Sequence, residues 1–184
     1  MRYLFRFTGL LYYASLLRCN NTFGSVMNQI SPPPAREAGD LHGFFLEDLH
    51  PGMSAAYART VTEADVILFA GVSGDQNPVH LNQEFAEGTR FKGRIAHGML
   101  TASFISTVLG NKLPGPGCIY VSQNLKFKAP VRAGDTVHTR VIVLDVDQIK
   151  GRVRLETLCR VGDVTVVEGE AVLMVPRRLS TAAE

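Results

Sequence analysis

IAHGMLTASFISTVLG, Ile95 to Gly110, is the stretch whose reading decides the fold. Its apolar residues Met99, Leu100, Phe104, Ile105, Val108 and Leu109 fall almost all round a helix, with small Ala102 and Ser103 between them. A surface helix shows one apolar stripe and one polar face. A helix apolar on nearly every side is buried. Gly110 supplies a C-terminal stop, and LPGPG at 113–117 forbids continuation. The rest of the chain must therefore supply a cover for this helix.

Downstream lie four runs of similar length: CIYVSQNLKFKA, DTVHTRVIVLDV, RVRLETLCRV and VTVVEGEAVLMV. They are rich in β-branched residues and partly alternating, which predicts strands. Val161-Gly162-Asp163 reads as a tight hairpin turn, and Ala133-Gly134-Asp135 turns the first run into the second. Upstream, a short strand is expected near Ala55 to Val61. Thr62 with Asp65 three residues later forms a capping-box pattern that opens a helix through Ser73, with Gly71 and Gly74 marking its end. LNQEFAEGTRFKGR is polar and punctuated by glycine, so it predicts a loop or irregular flap. The order is strand, helix, flap, long buried helix, then antiparallel strands. An α+β arrangement with one antiparallel sheet wrapped around a long central helix satisfies it.

Composition narrows the function. At 184 residues, 46% hydrophobic and 20% charged, the chain is one ordinary domain with or without a tail. Cys19, Cys118 and Cys159 show no CxxC and no paired spacing, which argues against a disulfide framework or zinc cage. Residues 1–36 carry Arg2, Arg6, Arg18 and Arg36 and no acid. From Glu37 onward the chain holds 15 basic and 17 acidic residues, not the charge of a nucleic-acid binder. The basic, acid-free N-terminus suits a mitochondrial transit peptide or an extension upstream of a start at Met27. Its apolar run is too short and interrupted to span a membrane. Pro32-Pro33-Pro34 then makes a linker, so the division expected is 1–36 and 37–184. The protein is expected in the cytoplasm, or in the mitochondrial matrix if 1–36 is a transit peptide.

SGDQNPVH, Ser73 to His80, breaks the apolar pattern. It sets Asp75 and His80 five residues apart around a rigid Asn77-Pro78 step, just beyond the helix ended by Gly74. SGDQNPVHLNQEFA, RIAHGML and IYVSQNLKFKAPVRAGD together resemble the MaoC-like hydratase family, the (R)-specific enoyl-CoA hydratases. The resemblance runs from about Leu49 to Pro176. It implies the hot-dog fold, in agreement with the pattern above. It implies that Asp75 and His80 are catalytic and hold one water, which adds to a trans-2-enoyl thioester. Family members often have Asp where this chain has Asn82, a position not catalytic in the family.

The residues themselves leave plainer roles open. Asp75 could cap a turn and His80 could satisfy a backbone carbonyl. Gly98 opens the buried helix, where N–H groups are unpaired and the dipole is positive. Without a side chain it would admit a thioester carbonyl and serve as oxyanion hole, or it is only a flexible helix start. His97 reads as a capping or packing residue. A metal site of Asp75, His80 and His97 lacks supporting spacing, and no metal or cofactor is expected. Ser106 matches a family serine that supports the active site, or bonds its own i−4 carbonyl. Pro78 stiffens the loop that carries Asp75 and His80, and Asn77 before it is read as a supporting residue. Lys126, Lys128 and Arg132 could meet coenzyme A phosphates, or form a solvated strand face.

The expected activity is reversible hydration of trans-2-enoyl-CoA to the (R)-3-hydroxyacyl-CoA. Alternatives are a 3-hydroxyacyl dehydratase acting on acyl carrier protein, a hot-dog thioesterase, or an acyl-CoA-binding module without chemistry. A dehydrogenase is disfavoured, since no GxGxxG follows a strand. A sheet around one helix leaves an exposed edge strand, and the resemblance implies a homodimer joined edge to edge.

Overall fold

The computed structural model describes residues 41–178. The expected N-terminal segment and its linker lie outside the described residues. Strand β1 (Ser54–Thr60) leads into helix α1 (Glu63–Ser73). The capping box is formed as expected: Asp65 N–H donates to Thr62 Oγ1 at 3.2 Å, and Thr62 N–H donates to Asp65 Oδ2 at 2.8 Å. Gly74 closes α1 at φ 76°, a left-handed conformation that favours glycine. Two short helices follow, α2 (Pro78–Leu81) and α3 (Gln83–Glu87). The sequence reading expected only a loop over α3. Asn82 supplies the missing signal, since its side chain accepts from Phe85 N–H at 3.0 Å and caps the turn.

Helix α4 (Gly98–Asn111) is the long central helix. It runs one residue past Gly110, and the turn is closed by Lys112 N–H donating to Val108 C=O at 2.9 Å. Strands β2 (Ile119–Phe127), β3 (Thr136–Asp147), β4 (Arg152–Val161) and β5 (Val164–Met174) complete an antiparallel sheet in the order β1-β3-β4-β5-β2. Along β3, Val137, Thr139, Val141 and Val143 are buried while His138 and Arg140 face solvent, the period-2 alternation of a half-buried strand. Leu100, Ile105, Val108 and Leu109 of α4 meet this inner face, with Val153, Leu155, Ala171 and Leu173 from β4 and β5. This is the expected α+β hot-dog arrangement, one sheet wrapped around one helix.

Two expectations need correction. First, α4 is not covered all round: Met99, Ser103, Ser106 and Gly110 lie on an exposed stripe at helical spacing, Met99 at 57%. Second, Ala133-Gly134-Asp135 turns the chain without pairing β2 to β3. Gly134 N–H donates to Val61 C=O at 2.8 Å, so the turn docks beside β1, while β2 joins β5 at the opposite edge. The hairpin at Gly162 between β4 and β5 forms as expected, with Val161 opposite Val164. Among the described residues, no helix is long and apolar enough to cross a membrane.

Candidate active site

The first turn of α4, the loop after α1, the end of β2 and the flap after α3 enclose a cleft of about 390 Å³. Asp75, His80 and Gly98 all line it. The local reasons are readable. Gly74 reverses the backbone, so Asp75 starts a new direction. Asp75 N–H donates to Ser73 Oγ at 3.2 Å, and Asp75 Oδ1 accepts from Asn77 N–H at 3.2 Å. Asn77 Oδ1 in turn accepts from Val79 N–H at 3.2 Å and caps α2, with Pro78 at its first position. Asn77 thus holds the loop and does not line the cleft.

His80 lies on α2 and is buried. Its Nδ1 lies 2.8 Å from Ile95 C=O. A carbonyl only accepts, so Nδ1 carries a proton, and in the neutral ring Nε2 keeps its lone pair. That Nε2 stands 4.0 Å from Asp75 Oδ2. Both plainer roles are therefore made: Asp75 caps a turn through Oδ1, and His80 satisfies a carbonyl through Nδ1. Each uses one atom and leaves the other toward its partner. The Asp75 side chain is 52% exposed in this chain.

His97 is more than a capping residue. Its ring is buried, and its Nε2 donates to the Asp75 backbone carbonyl at 2.9 Å. It stacks on His80 with ring centroids 3.9 Å apart and meets Phe69 at 5.0 Å. It makes no side-chain cap to α4, and its Nδ1 has no partner among the described residues. One ligand-type atom each from Asp75, His80 and His97 falls within 4.8 Å of the others, so among the described residues these three could hold a metal.

Gly98 sits at the first position of α4, where its N–H has no intrahelical acceptor. A Cβ built there would meet the Phe127 ring at 2.8 Å. Phe127 therefore shares the space that glycine leaves, a neighbour that no local pattern announces. Ser106 is exposed, lies two turns further along α4 and is outside the cleft lining. Of the three cations considered for phosphates, only Lys128 lines the cleft, and its Nζ is 3.4 Å from Glu168 Oε1. Lys126 is exposed outside the lining. Arg132 also lies outside it: the guanidinium donates to Arg94 C=O at 3.0 Å and to Phe91 C=O. Arg90, on the flap, lines the cleft and was missed, because a lone arginine in a polar loop carries no pattern.

The cysteines stay out of this chemistry. Cys159 is buried in the core and Cys118 half-buried, and burial pushes both thiols up.

Residues 49–164 match the family model described as MaoC like domain. The chain is 55% identical to an (R)-specific enoyl-CoA hydratase of Rhodospirillum rubrum, over 77% of this chain and 98% of that protein. It is 45% identical to a 3-hydroxybutyryl-CoA dehydratase of Methylorubrum extorquens, over 76% of this chain and 88% of that one. The solved structure of the R-hydratase PhaJ1 from Pseudomonas aeruginosa superposes with a TM-score of 0.69 at 41% identity, covering 77% of this chain and 94% of that one.

Proposed function

The chain belongs to the MaoC-like domain family, and from that premise we propose that Asp75 and His80 activate one water for addition to a trans-2-enoyl thioester. The protein is an enzyme, a hydro-lyase acting between (R)-3-hydroxyacyl and enoyl thioesters. The thioester's carrier is coenzyme A or acyl carrier protein, and residues 37–184 form the hydratase domain.

The observation that carries this reading is the 4.0 Å gap between Asp75 Oδ2 and His80 Nε2 on one wall of the cleft. Both atoms are acceptors. A single water that donates about 2.8 Å hydrogen bonds to both spans such a gap, leaving its lone pairs for the substrate. In the hydration direction the water oxygen bonds to the β-carbon. Asp75 takes one water proton, and negative charge moves to the thioester oxygen. The N–H of Gly98, at the positive end of α4, stabilises that oxygen. Asp75 then returns the proton to the α-carbon, and the carboxylate is restored. His80, fixed by Ile95 C=O, holds the second water proton and sets the direction of attack. Dehydration is the same path reversed.

The test uses Asp75→Asn, His80→Ala and the double variant on a short trans-2-enoyl thioester. Loss of conjugated absorbance reports hydration; free thiol reports hydrolysis. Each single change should lower kcat by ~10²–10⁴ while circular dichroism stays unchanged. The losses should not add, since both serve one water. A folded, active Asp75→Asn enzyme would falsify the reading, because Asn caps the turn as well as Asp. Thiol release without loss of the enoyl signal would make the protein a thioesterase.

A further inference from the structure

We infer that Arg90 binds a phosphate of the thioester's carrier, so that the carrier's anionic end lies against the flap that follows α3. This deepens the hydratase reading and rests on it. Two cations line the cleft that holds Asp75, His80 and Gly98: Lys128 and Arg90. Lys128 already faces Glu168 at 3.4 Å. On the flap, Arg94 is paired with Glu63 at 2.9 Å. Arg90 is exposed and makes no ion pair among the described residues. An anion reaching this cleft therefore meets one charge that no described carboxylate has neutralised.

The geometry of Arg90 suits a phosphate. Its guanidinium carbon stands 4.8 Å from the centroid of the Phe91 ring. A guanidinium held over a ring face still offers N–H donors to other partners, a rigid fork that matches phosphate oxygens. The backbone beneath is tied down as well. Thr89 N–H and Gly93 N–H both donate to Ala86 C=O, at 3.1 and 3.2 Å. Phe91 N–H donates to Thr89 Oγ1 at 3.2 Å, and Arg132 holds the carbonyls of Phe91 and Arg94. A preorganised cation loses less freedom on binding than one on a loose loop.

The shared chemistry is a phosphate ester on a pantetheine arm, present once on a carrier protein and as a pyrophosphate on coenzyme A. The experiment titrates coenzyme A itself into the full chain and into Arg90→Ala and Arg90→Lys, at two salt concentrations. In parallel, crotonyl-CoA, crotonyl carrier protein and crotonyl-pantetheine, which lacks phosphate, are hydrated by each. Arg90→Ala should weaken binding of the phosphate-bearing carrier about tenfold and flatten its salt dependence. The loss should appear in KM with kcat little changed, and Arg90→Lys should recover part of it. Crotonyl-pantetheine should be unaffected. An effect confined to crotonyl-CoA assigns the contact to the phosphates that coenzyme A alone carries; an effect on the carrier protein assigns it to the shared phosphate. Unchanged coenzyme A affinity with both phosphate-bearing KM values unchanged overturns the inference. So does a loss that is equal for crotonyl-pantetheine. If no thioester is hydrated but coenzyme A binds through Arg90, the hydratase reading falls and the phosphate contact stands.

Discussion

At the residue scale, the site works by dividing each side chain between two duties. Asp75 gives Oδ1 to a turn and Oδ2 to the cleft; His80 gives Nδ1 to Ile95 and Nε2 to the cleft. His97 stands behind both, holding the Asp75 carbonyl and stacking on the His80 ring. His97→Phe keeps a ring of similar shape against His80 and Phe69 but removes the donor. The lost hydrogen bond is worth about 1 kcal/mol, so a fall in kcat of roughly fivefold with unchanged KM is expected, with the fold intact. Equal activity would reduce His97 to a packing residue. Gly98 poses the other residue-scale question, since Phe127 and a substrate carbonyl both need its missing side chain. Gly98→Ala should lose stability and about tenfold or more in kcat. Adding Phe127→Leu relieves the 2.8 Å approach and should restore thermal stability. If it also restores kcat, the missing side chain serves only Phe127, and the substrate carbonyl reaches the N–H at 98 without needing glycine there.

At the element scale, local signals were legible and pairings across the fold were not. Thr62 with Asp65, Gly74, Asn77-Pro78 and Gly162 are each decided within a few residues, so the sequence shows them directly. The route from β2 to the far edge of the sheet is not, because Gly134 docks on Val61, more than seventy residues earlier in the chain. The exposed stripe of α4 escaped for a related reason: small Ser103, Ser106 and Gly110 read equally well as close packing or as solvent contact. Arg132 is the most instructive case. In sequence it follows Lys126 and Lys128 and looks like a third phosphate ligand. In space its fork closes on the carbonyls of Phe91 and Arg94 and pins the flap beside Ile95, the residue that orients His80. The two roles separate by substitution. A lysine keeps the charge but loses the fork. Arg132→Lys and Arg132→Leu should therefore lose stability alike, by about 2 kcal/mol, or a melting shift of about 4–8 °C. Both should slow a phosphate-free thioester as much as the coenzyme A thioester. If Arg132→Lys matches the parent enzyme, the clasp is not its main role.

At the scale of the whole molecule, the functional groups named here all fall between Asp75 and Arg132, inside the described body. A chain begun at Gly39 should then keep its fold and its rate, and a large rate loss would show that the first residues act on the body. The body itself is not finished as a single copy. Strand β2 is an edge of the sheet and exposes Ile119, Val121 and Phe127, while α1 exposes Ile67, Leu68 and Val72. An open edge strand of nine residues with exposed apolar side chains and no proline invites another strand, and nothing among the described residues covers it. A second copy of the chain is the partner expected, joined through β2. The consequence reaches the site, because Phe127 and Lys128 at the end of β2 line the cleft, and the Asp75 side chain is still 52% exposed. Pairing along β2 would fix that wall and remove water from the reacting pair. Light scattering on the 39–184 body should therefore give twice the mass of one chain. Val121→Lys places a charge at the bulge of β2, away from the cleft, and should shift the protein toward single copies without unfolding it. Those single copies should hydrate a short enoyl thioester more slowly, with the rate recovering as protein concentration rises. A monomeric body with full activity would remove the second copy from the account and leave the cleft of one chain sufficient.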